Sequence, residues 1–224
     1  MNLYKINEVF ESLQGEGSYT GLPSIFVRLQ GCPVGCPWCD TKHTWEVNPD
    51  LHVNRDTVMA ESGESDKWFE TSSEQLLTLF SKYGYVAKHV VITGGEPCIY
   101  NLTELTSYLI GLGYSVQIET SGTYEIYCHE DTWVTVSPKV NMPGGKHVLK
   151  SAMLRANEIK HPIAMQKHID ELDQVLTLLE GGSMPQIYLQ PISQQKRATE
   201  LAIETCIARN WRLSLQTHKF IGIE

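Results

Sequence analysis

Three cysteines close together give the strongest chemical signal in the sequence. They are Cys32, Cys36 and Cys39 in the segment CPVGCPWC, with the spacing C-x3-C-x2-C. Three thiolates on one short loop can ligate three irons of a 4Fe–4S cubane and leave the fourth iron without a protein ligand nearby. A substrate or cofactor can bind that open iron. The spacing therefore predicts an iron–sulfur site that takes part in chemistry.

Two other interpretations of the cysteine loop stay open at this point. Zinc in a structural site takes four protein ligands, and His43 lies four residues past Cys39. A ferredoxin-like electron carrier needs a fourth cysteine, and the nearest is Cys98. The scattered Cys98, Cys128 and Cys206 are interpreted as ordinary partly buried thiols. With no export signal and three clustered cysteines, metal or redox chemistry is favoured over disulfides.

Further polar motifs follow segments that are predicted to be strands. In TGGEP (93–97) two glycines allow a close approach of the backbone to a ligand, and Glu96 offers an acceptor for an ammonium group. In SPK (137–139) a hydroxyl and a lysine suit a carboxylate or a ribose. The motifs ETSG (119–122) and QP also follow predicted strands. We therefore expect these motifs to share one rim of the fold with the cysteine loop.

Alternating strands and helices must position these motifs. Apolar, β-rich segments predict strands at 23–30, 88–93, 115–119, 133–137, 158–161, 186–190 and 212–216. Capped or amphipathic segments predict helices at 72–84, 101–113, 168–182 and 196–210. This order predicts an α/β fold with mostly parallel strands and helices outside them. Six or seven strands are fewer than a closed barrel needs, so we expect an incomplete, TIM-like β/α barrel with its active site at the carboxyl ends of the strands.

Size and composition fit one domain. The 224 residues, 42% hydrophobic and 20% charged, are enough for a single core, and we assign 1–224 to one domain. The polar, acidic segment at about 46–71 breaks the alternation, and we interpret it as an insertion that forms a surface loop with some helix. The alternative is an element that docks a partner. The insertion is expected to lie outside the strand and helix repeat.

The charge balance and hydropathy exclude several partners. The net charge is −8, which is unlike the basic face of a nucleic-acid-binding protein. No apolar run approaches the roughly 20 residues of a membrane span, and no signal peptide is recognisable at the N-terminus. We therefore expect a cytoplasmic protein that binds neither nucleic acid nor membrane.

The cysteine spacing together with the GGEP loop resembles the radical S-adenosylmethionine (SAM) superfamily. The resemblance implies that the methionyl amine and carboxylate of SAM chelate the open iron, and that reductive cleavage gives a 5′-deoxyadenosyl radical. In the superfamily an aromatic residue such as Trp38 packs near the adenine, although Trp38 can equally serve loop packing. By resemblance, the residues that contact SAM are Trp38, Asp40, Gly95, Glu96, Ser137, Pro138 and Lys139.

Further segments resemble one family of that superfamily, the 7-carboxy-7-deazaguanine synthases. They are LQGEG (13–17), IFVRLQGC (25–32), CDTKHTW (39–45), QIETSGT (117–123), VSPK (136–139) and LQTHKF (215–220). The resemblance spans nearly the whole chain apart from the insertion. It implies a carbon–nitrogen lyase that contracts the ring of 6-carboxy-5,6,7,8-tetrahydropterin to 7-carboxy-7-deazaguanine with loss of ammonia, for queuosine and tRNA modification. No catalytic residue is implied beyond the cofactor radical.

The same resemblance assigns a substrate and a magnesium site. The substrate-binding residues are Leu13, Gln14, Gly15, Glu16, Arg28 and Thr93. Arg28 is a planar, always-charged group suited to the substrate carboxylate, but it could instead pair with a surface acid. Gln14 could instead cap a turn. Thr41 is assigned to magnesium, with turn capping as the alternative role and Asp40 as the rival ligand.

The resemblance also implies partners. They are the pterin substrate, a reductant such as flavodoxin or ferredoxin, and a second copy of the chain in a homodimer. Three alternatives are kept: a radical SAM activase acting on a protein glycine, a radical SAM enzyme with another small substrate, and an iron–sulfur electron carrier.

Overall fold

The computed structural model describes residues 2–61, 63–192 and 195–223, and these form a nine-stranded sheet. The strand order is β3-β1-β2-β4-β5-β6-β7-β8-β9. The strands are β1 (Tyr4–Leu13), β2 (Pro23–Leu29), β3 (Phe69–Thr71), β4 (His89–Gly94), β5 (Ser115–Thr120), β6 (Trp133–Val136), β7 (Glu158–Ile163), β8 (Gln186–Pro191) and β9 (Arg212–Leu213).

Most strand pairs in this sheet are parallel. β2 and β4 to β9 run in one direction, whereas β1 is antiparallel to β2 and β3 is antiparallel to β1. Parallel strands need crossover connections, and helices provide them except between β5 and β6, where the described residues 121–132 form no helix. The open, mostly parallel sheet confirms the predicted incomplete β/α barrel. Its carboxyl strand ends meet at one edge, where the motifs were expected.

The helices follow the strands in the predicted alternation. They are α1 (Arg55–Ala60), α2 (Ser73–Lys82), α3 (Thr103–Gly111), α4 (Lys150–Arg155), α5 (Gln166–Leu176), α6 (Lys196–Arg209) and α7 (Thr217–Ile221). α2 begins with the predicted capping box, in which Ser72 and Gln75 each accept a hydrogen bond from the other's backbone N–H. Among the described residues, no helix has the length and apolar character that crossing a membrane requires.

The two faces of the parallel strands differ in polarity. Val116 and Ile118 of β5 point into an apolar core that β1, β2 and β4 share with helices α2 and α3. A second apolar core joins β6, β7 and β8 to α4, α5 and α6. The alternate residues of β5, Gln117 and Glu119, point to the opposite face because side chains alternate along a strand. That inner face is polar and leads to the carboxyl edge of the sheet.

Two strands and the two helices α4 and α7 were not predicted from the sequence. β1 adds an antiparallel strand at the N-terminus, and α4 precedes β7. The segment 46–71 contains α1 and also β3, which pairs with β1, so the expectation of a surface loop with some helix is incomplete. Trp68 anchors this segment by donating from Nε1 to the carbonyl of Asn48 at 2.9 Å. A three-residue strand is too short to show periodicity.

Candidate functional site

A cavity of about 480 Å³ opens at the carboxyl ends of the parallel strands. Its wall contains the cysteine loop, the TGGEP loop, residues that follow β5 and β6, and residues of β7 and β8. A second cavity of about 220 Å³ adjoins it. Both cavities are lined by Glu16, Arg28, Asp40, Thr41, Thr93, Glu119 and Lys160. The predicted motifs therefore surround one continuous space.

The cysteine loop lies directly after β2 and is tied back onto itself. Cys32 donates its backbone N–H to the carbonyl of Trp45 at 2.9 Å, and Cys39 donates to the carbonyl of Cys36 at 3.0 Å. Cys32, Cys36 and Cys39 are free thiols, and all three line the larger cavity. Burial raises the pKa of Cys32 to about 11 and also raises that of Cys36. Binding of iron would therefore release protons from these thiols.

The TGGEP loop packs tightly against the cysteine loop. Gly94 has a φ of 123°, and Gly95 donates its N–H to the carbonyl of Leu29 at 2.8 Å. A Cβ at Gly94 would collide with the backbone of Leu29, and a Cβ at Gly95 would collide with the carbonyl of Gly31. Only glycine fits both positions. The backbone of this loop is thereby brought next to Cys32.

Glu96 is buried at the end of this loop and is held in place by the following strand. It accepts hydrogen bonds from the hydroxyl of Thr120 at 2.6 Å and from the backbone N–H groups of Cys98 and Ser121 at 2.9 and 2.8 Å. Three donors stabilise a carboxylate. Glu96 lines the larger cavity as an oriented anion that can accept from an ammonium group.

Lys139 follows β6, and its backbone N–H donates to the carbonyl of Ser121 at 3.3 Å. Its Nζ lies 2.6 Å from Ser137 Oγ, and burial lowers its pKa. Both residues line the larger cavity together with Gly95 and the half-exposed Trp38. Pro138 is buried and is absent from the described lining of either cavity. Its predicted contact with SAM has the weakest geometric basis of the set.

A buried charge cluster occupies the boundary between the two cavities. Lys160 Nζ lies 2.6 Å from Glu16 Oε2 and 2.8 Å from Glu119 Oε2. The other oxygen of Glu16 accepts hydrogen bonds from Gln190 at 3.2 Å and Gln216 at 2.9 Å. Two carboxylates thus share one ammonium. The cluster carries one net negative charge when both acids are ionised.

The two acids that share the Lys160 ammonium differ in their pKa values. Burial opposes ionisation of Glu16, but Lys160 and the hydrogen bond from Gln216 lower its pKa to about 2. Burial raises the pKa of Glu119 to about 7, with Lys160 acting against the rise and Glu16 adding to it. Burial also disfavours the charged lysine, but Glu119 and Glu16 raise the pKa of Lys160 above its ordinary value. Glu119 is therefore the acid that titrates near neutrality.

Arg28 crosses the cavity wall from β2. Its Nε donates to Glu8 Oε2 at 2.8 Å, and its guanidinium lies 5.9 Å from the ring centroid of Phe10. The expected alternative, an ion pair with an acid, is therefore present. A guanidinium has five N–H donors, and this bond uses one of them. Glu8 orients Arg28 while the side chain lines both cavities.

The remaining substrate candidates line the smaller cavity. Leu13, Gln14 and Gly15 are on its wall, and Thr93 lines both cavities. The Gln14 side chain is engaged within the protein: its Nε2 donates to Gln117 Oε1 at 3.3 Å, and its Oε1 accepts from the backbone N–H of Glu16 at 3.1 Å. Its amide therefore fixes the following turn.

Thr41 follows the cysteine loop on the wall of both cavities. Its hydroxyl lies 3.5 Å from Cys39 Sγ. Thr41 occupies the cap position of the 3-10 turn Lys42–Thr44, but its described side chain makes no capping hydrogen bond. The capping role weighed against magnesium is therefore absent here. The rival ligand Asp40 is exposed and lies 3.4 Å from Lys219 Nζ.

Comparisons with known proteins place this site in a family. Residues 26–139 match the model of the Radical SAM superfamily. The chain is 59% identical over 220 residues to the 7-carboxy-7-deazaguanine synthase of Escherichia coli (strain K12), covering 98% of this chain and 99% of that one. A synthase of the same name from Synechocystis sp. is 35% identical over 223 residues, covering 98% and 93% of the two chains.

A solved structure agrees with the sequence relatives. The crystal structure of QueE from Escherichia coli superposes with a TM-score of 0.93 at 59% identity, covering 95% of this chain and 93% of that one. The chain belongs to the 7-carboxy-7-deazaguanine synthase family. Membership in this family confirms the predicted resemblance. It also favours the synthase over the activase and the electron carrier that the cysteine spacing alone left open.

The donor set of this synthase-family site fits an iron–sulfur cluster. A cubane spreads three thiolates over three irons, whereas a single metal ion gathers its ligands around one point. Among the residues that the structure describes, no three His, Cys, Asp or Glu side chains are grouped so that they could hold a single metal ion. Three free thiols nevertheless line one cavity beside an oriented carboxylate and a buried lysine.

Several residues of this wall were not singled out from the sequence. Lys160 lies inside the predicted strand at 158–161, and Gln190 lies at the end of the strand at 186–190. Glu119 was noted only as part of a rim motif. Each is a polar residue near the carboxyl end of a parallel strand, which is the signal that could have found them. Glu8 was missed because β1 was not predicted.

Proposed function

We propose that the chain is a 7-carboxy-7-deazaguanine synthase. It converts 6-carboxy-5,6,7,8-tetrahydropterin to 7-carboxy-7-deazaguanine with release of ammonia, as a carbon–nitrogen lyase. Substrate and product differ by ammonia alone, so the overall reaction is redox-neutral. The single observation that carries the proposal is the 59% identity to the Escherichia coli synthase along 98% of the chain. The reaction serves queuosine biosynthesis and thus tRNA modification.

The cofactor side of the cavity is assigned to the cluster and SAM. Cys32, Cys36 and Cys39 would hold three irons of a 4Fe–4S cluster. Glu96 would accept from the methionyl ammonium, and Lys139 with Ser137 would face the carboxylate or the ribose. Gly95, Trp38, Asp40 and Pro138 complete the proposed SAM residues. When bound and reduced, the cluster and SAM would supply radical chemistry that can take hydrogen from the substrate carbon bearing the carboxylate.

The substrate side is assigned to the charged wall opposite. Arg28, oriented by Glu8, would donate to the substrate carboxylate as a charge-assisted pair. Glu16 and the backbone of Leu13, Gln14 and Gly15 would bind the pterin's amide edge, with Thr93 beside them. Their support is the family resemblance and their position on one wall of the cavity. This wall holds the reacting carbon toward the cofactor side.

Magnesium is a further part of the proposal. Thr41 would contribute a neutral oxygen, and the substrate carboxylate and water would complete an octahedral shell. The ion would orient the carboxylate and stabilise charge during rearrangement. The support is the match of the CDT motif and a hydroxyl that lines both cavities close to the cysteine loop.

Two protein partners belong to the proposal. A flavodoxin or ferredoxin would deliver the electron to the cluster. A second copy of the chain would form a homodimer, for which the support is the family resemblance. Sedimentation should then give twice the chain mass of 25.3 kDa at micromolar concentration. A species of the single-chain mass would contradict the dimer.

The test is an anaerobic assay with reconstituted protein, dithionite, SAM, magnesium and the tetrahydropterin acid. We expect 7-carboxy-7-deazaguanine and ammonia in equal amounts, measured by mass spectrometry and enzymatic ammonia determination. Cys36→Ala is the inactive control. An electron carrier would leave the pterin intact and, when incubated with SAM and dithionite without the pterin, would form no 5′-deoxyadenosine. An activase would cleave SAM but leave the pterin intact, and either result would overturn the proposal.

A further inference from the structure

A series of side-chain hydrogen bonds leads from the exposed Ser115, at the start of β5, to Glu119 near its carboxyl end. Ser115 Oγ lies 2.8 Å from His89 Nδ1, and His89 Nε2 lies 3.0 Å from Gln117 Oε1. Gln117 Nε2 then donates to Glu119 Oε1 at 3.0 Å and to Thr135 Oγ1 at 3.0 Å. Gln117 has no exposed surface. This series of hydrogen bonds runs along the polar inner face of the sheet, behind the cavity wall.

The direction of every hydrogen bond in this series follows from one backbone donor. The N–H of Glu16 can only donate, so Gln14 presents its oxygen there and its amide nitrogen to Gln117. Gln117 must therefore turn its oxygen toward Gln14 and its nitrogen toward Glu119. His89 faces the same Gln117 oxygen, so its Nε2 carries the proton and its Nδ1 is left as an acceptor for the hydroxyl of Ser115, which also lies 3.2 Å from the carbonyl of Lys88. Neither the amide nor the imidazole can turn over without losing a bond.

We propose that Gln117, locked by His89, is a positioning residue that keeps Glu119 ionised as a hydrogen-bond acceptor toward the substrate. The inference rests on the proposed function for the identity of the substrate. The carboxylate receives two donors, Gln117 on one oxygen and Lys160 on the other at 2.8 Å. Both bonds favour the anion over the neutral acid.

The surrounding charges explain why this support is needed. Burial raises the pKa of Glu119 to about 7, and Glu16 and Glu158 add to the rise. Lys160 on β7 opposes it, and Arg28 on β2 and Lys139 after β6 line the same cavity. The Gln117 donor therefore acts on an acid close to its midpoint at neutral pH. Burial lowers the pKa of His89, which keeps its ring neutral in the tautomer required.

The experiment uses the reconstituted holoenzyme and two readouts. The first is the pH dependence of kcat/KM for the tetrahydropterin acid. The second is the carboxyl C=O stretch in pH-difference infrared spectra without substrate, assigned to Glu119 by its loss in Glu119→Gln. Gln117→Met removes the donor at nearly constant volume. Thr135→Val removes the other acceptor of Gln117 and is the matched control.

Loss of the Gln117 donor should raise the pKa of Glu119. We expect the infrared titration and the acidic limb of the rate profile to move together to higher pH by about one unit in Gln117→Met, the size of one hydrogen bond to a charged group. Thr135→Val should leave both unchanged. His89→Leu should move both in the same direction by less, and His89→Gln, which restores a donor near Nε2, should return them toward wild type.

The outcomes separate this inference from the proposed function. A Glu119 titration in Gln117→Met that matches wild type overturns the positioning role. An equal shift in Thr135→Val also overturns it, because the effect would then be general disruption. If Gln117→Met does not fold, the His89→Leu and His89→Gln pair decides. If wild type forms no deazaguanine, the proposed function fails, while the infrared titration still decides the positioning role.

Discussion

Replacing Lys160 by methionine tests the charge cluster at the centre of the site. The change removes an ammonium that lies 2.6 Å from Glu16 and 2.8 Å from Glu119, and it keeps most of the side-chain volume. Both acids then remain in a mostly buried site without a cation between them. We expect a large loss of stability that grows with pH.

The magnitude follows from the alternatives left to the two acids. Breaking a buried ion pair by removing one partner costs about 3–5 kcal/mol. Protonating an acid of ordinary pKa 4.5 near pH 8 costs about 5 kcal/mol. Protonation near pH 8 is therefore no more favourable than leaving the acid charged without Lys160. Near pH 5 the same protonation costs less than about 1 kcal/mol. We therefore expect about 3–5 kcal/mol of destabilisation near pH 8 and about 1–2 kcal/mol near pH 5. The destabilisation that remains near pH 5 reflects lost packing and hydrogen bonds.

The contribution of Glu16 to the pH dependence of stability has opposite signs in the two proteins. In wild type the pKa of Glu16 is lowered to about 2, so its stabilising contribution is complete above pH 4.5 and is lost as the pH falls toward 2. Without Lys160 burial dominates and raises the pKa of Glu16 above 4.5. Its contribution then becomes destabilising as the pH rises through that folded-state pKa.

The assay is anaerobic urea unfolding followed by tryptophan fluorescence, at matched iron content. The triple variant Glu16→Gln, Glu119→Gln, Lys160→Met is the control, because a neutral cluster should regain most of the lost stability. A destabilisation of Lys160→Met that is below about 1 kcal/mol near pH 8, or equal at both pH values, would refute the reasoning about a buried shared ammonium.

Three further predictions concern the proposed cofactor and substrate residues. Cys36→Ala should abolish cluster binding, whereas Cys98→Ala should keep it, as measured by bound iron; the reverse pattern would remove the assignment. Arg28→Ala should lower kcat/KM for the pterin acid by the equivalent of about 2–5 kcal/mol while SAM cleavage continues, and unchanged kinetics would count against the carboxylate contact. Thr41→Ser should retain the magnesium activation and Thr41→Val should lose it; a normal magnesium titration of Thr41→Val would exclude Thr41 as a ligand.

The parallel part of the fold could be predicted because its strands carry dense β-branched segments. HVVIT in β4 and WVTV in β6 are buried on the side that faces the helices, so their apolar content is high. β1 is an antiparallel strand that alternates charged and apolar residues, and it was not predicted as a strand. β3 has three residues and gains its place through pairing with β1. Pairing between distant segments cannot be inferred from local pattern alone.

The candidate site shows the same division between local motifs and distant contacts. The cysteine loop and TGGEP are each an unbroken segment of sequence, so their residues on the wall of the larger cavity could be named from the sequence. The contacts of Lys160 with Glu16 and Glu119 join residues that lie far apart in the sequence. Such contacts depend on how far the sheet closes. The distance between β5 and β7 across the curved sheet cannot be inferred from a single sequence.

The curvature of the sheet also changes how a strand pattern should be interpreted. In β5 the residues Val116 and Ile118 alternate with Gln117 and Glu119, a period of two that usually predicts a strand with one face in solvent. Here the polar face turns inward, where Gln117 is wholly buried and Glu119 lines both cavities. Each buried polar group must then be hydrogen-bonded, which links the strands into one network. In an incomplete β/α barrel, the polar face of a parallel strand is therefore a signal for the site itself.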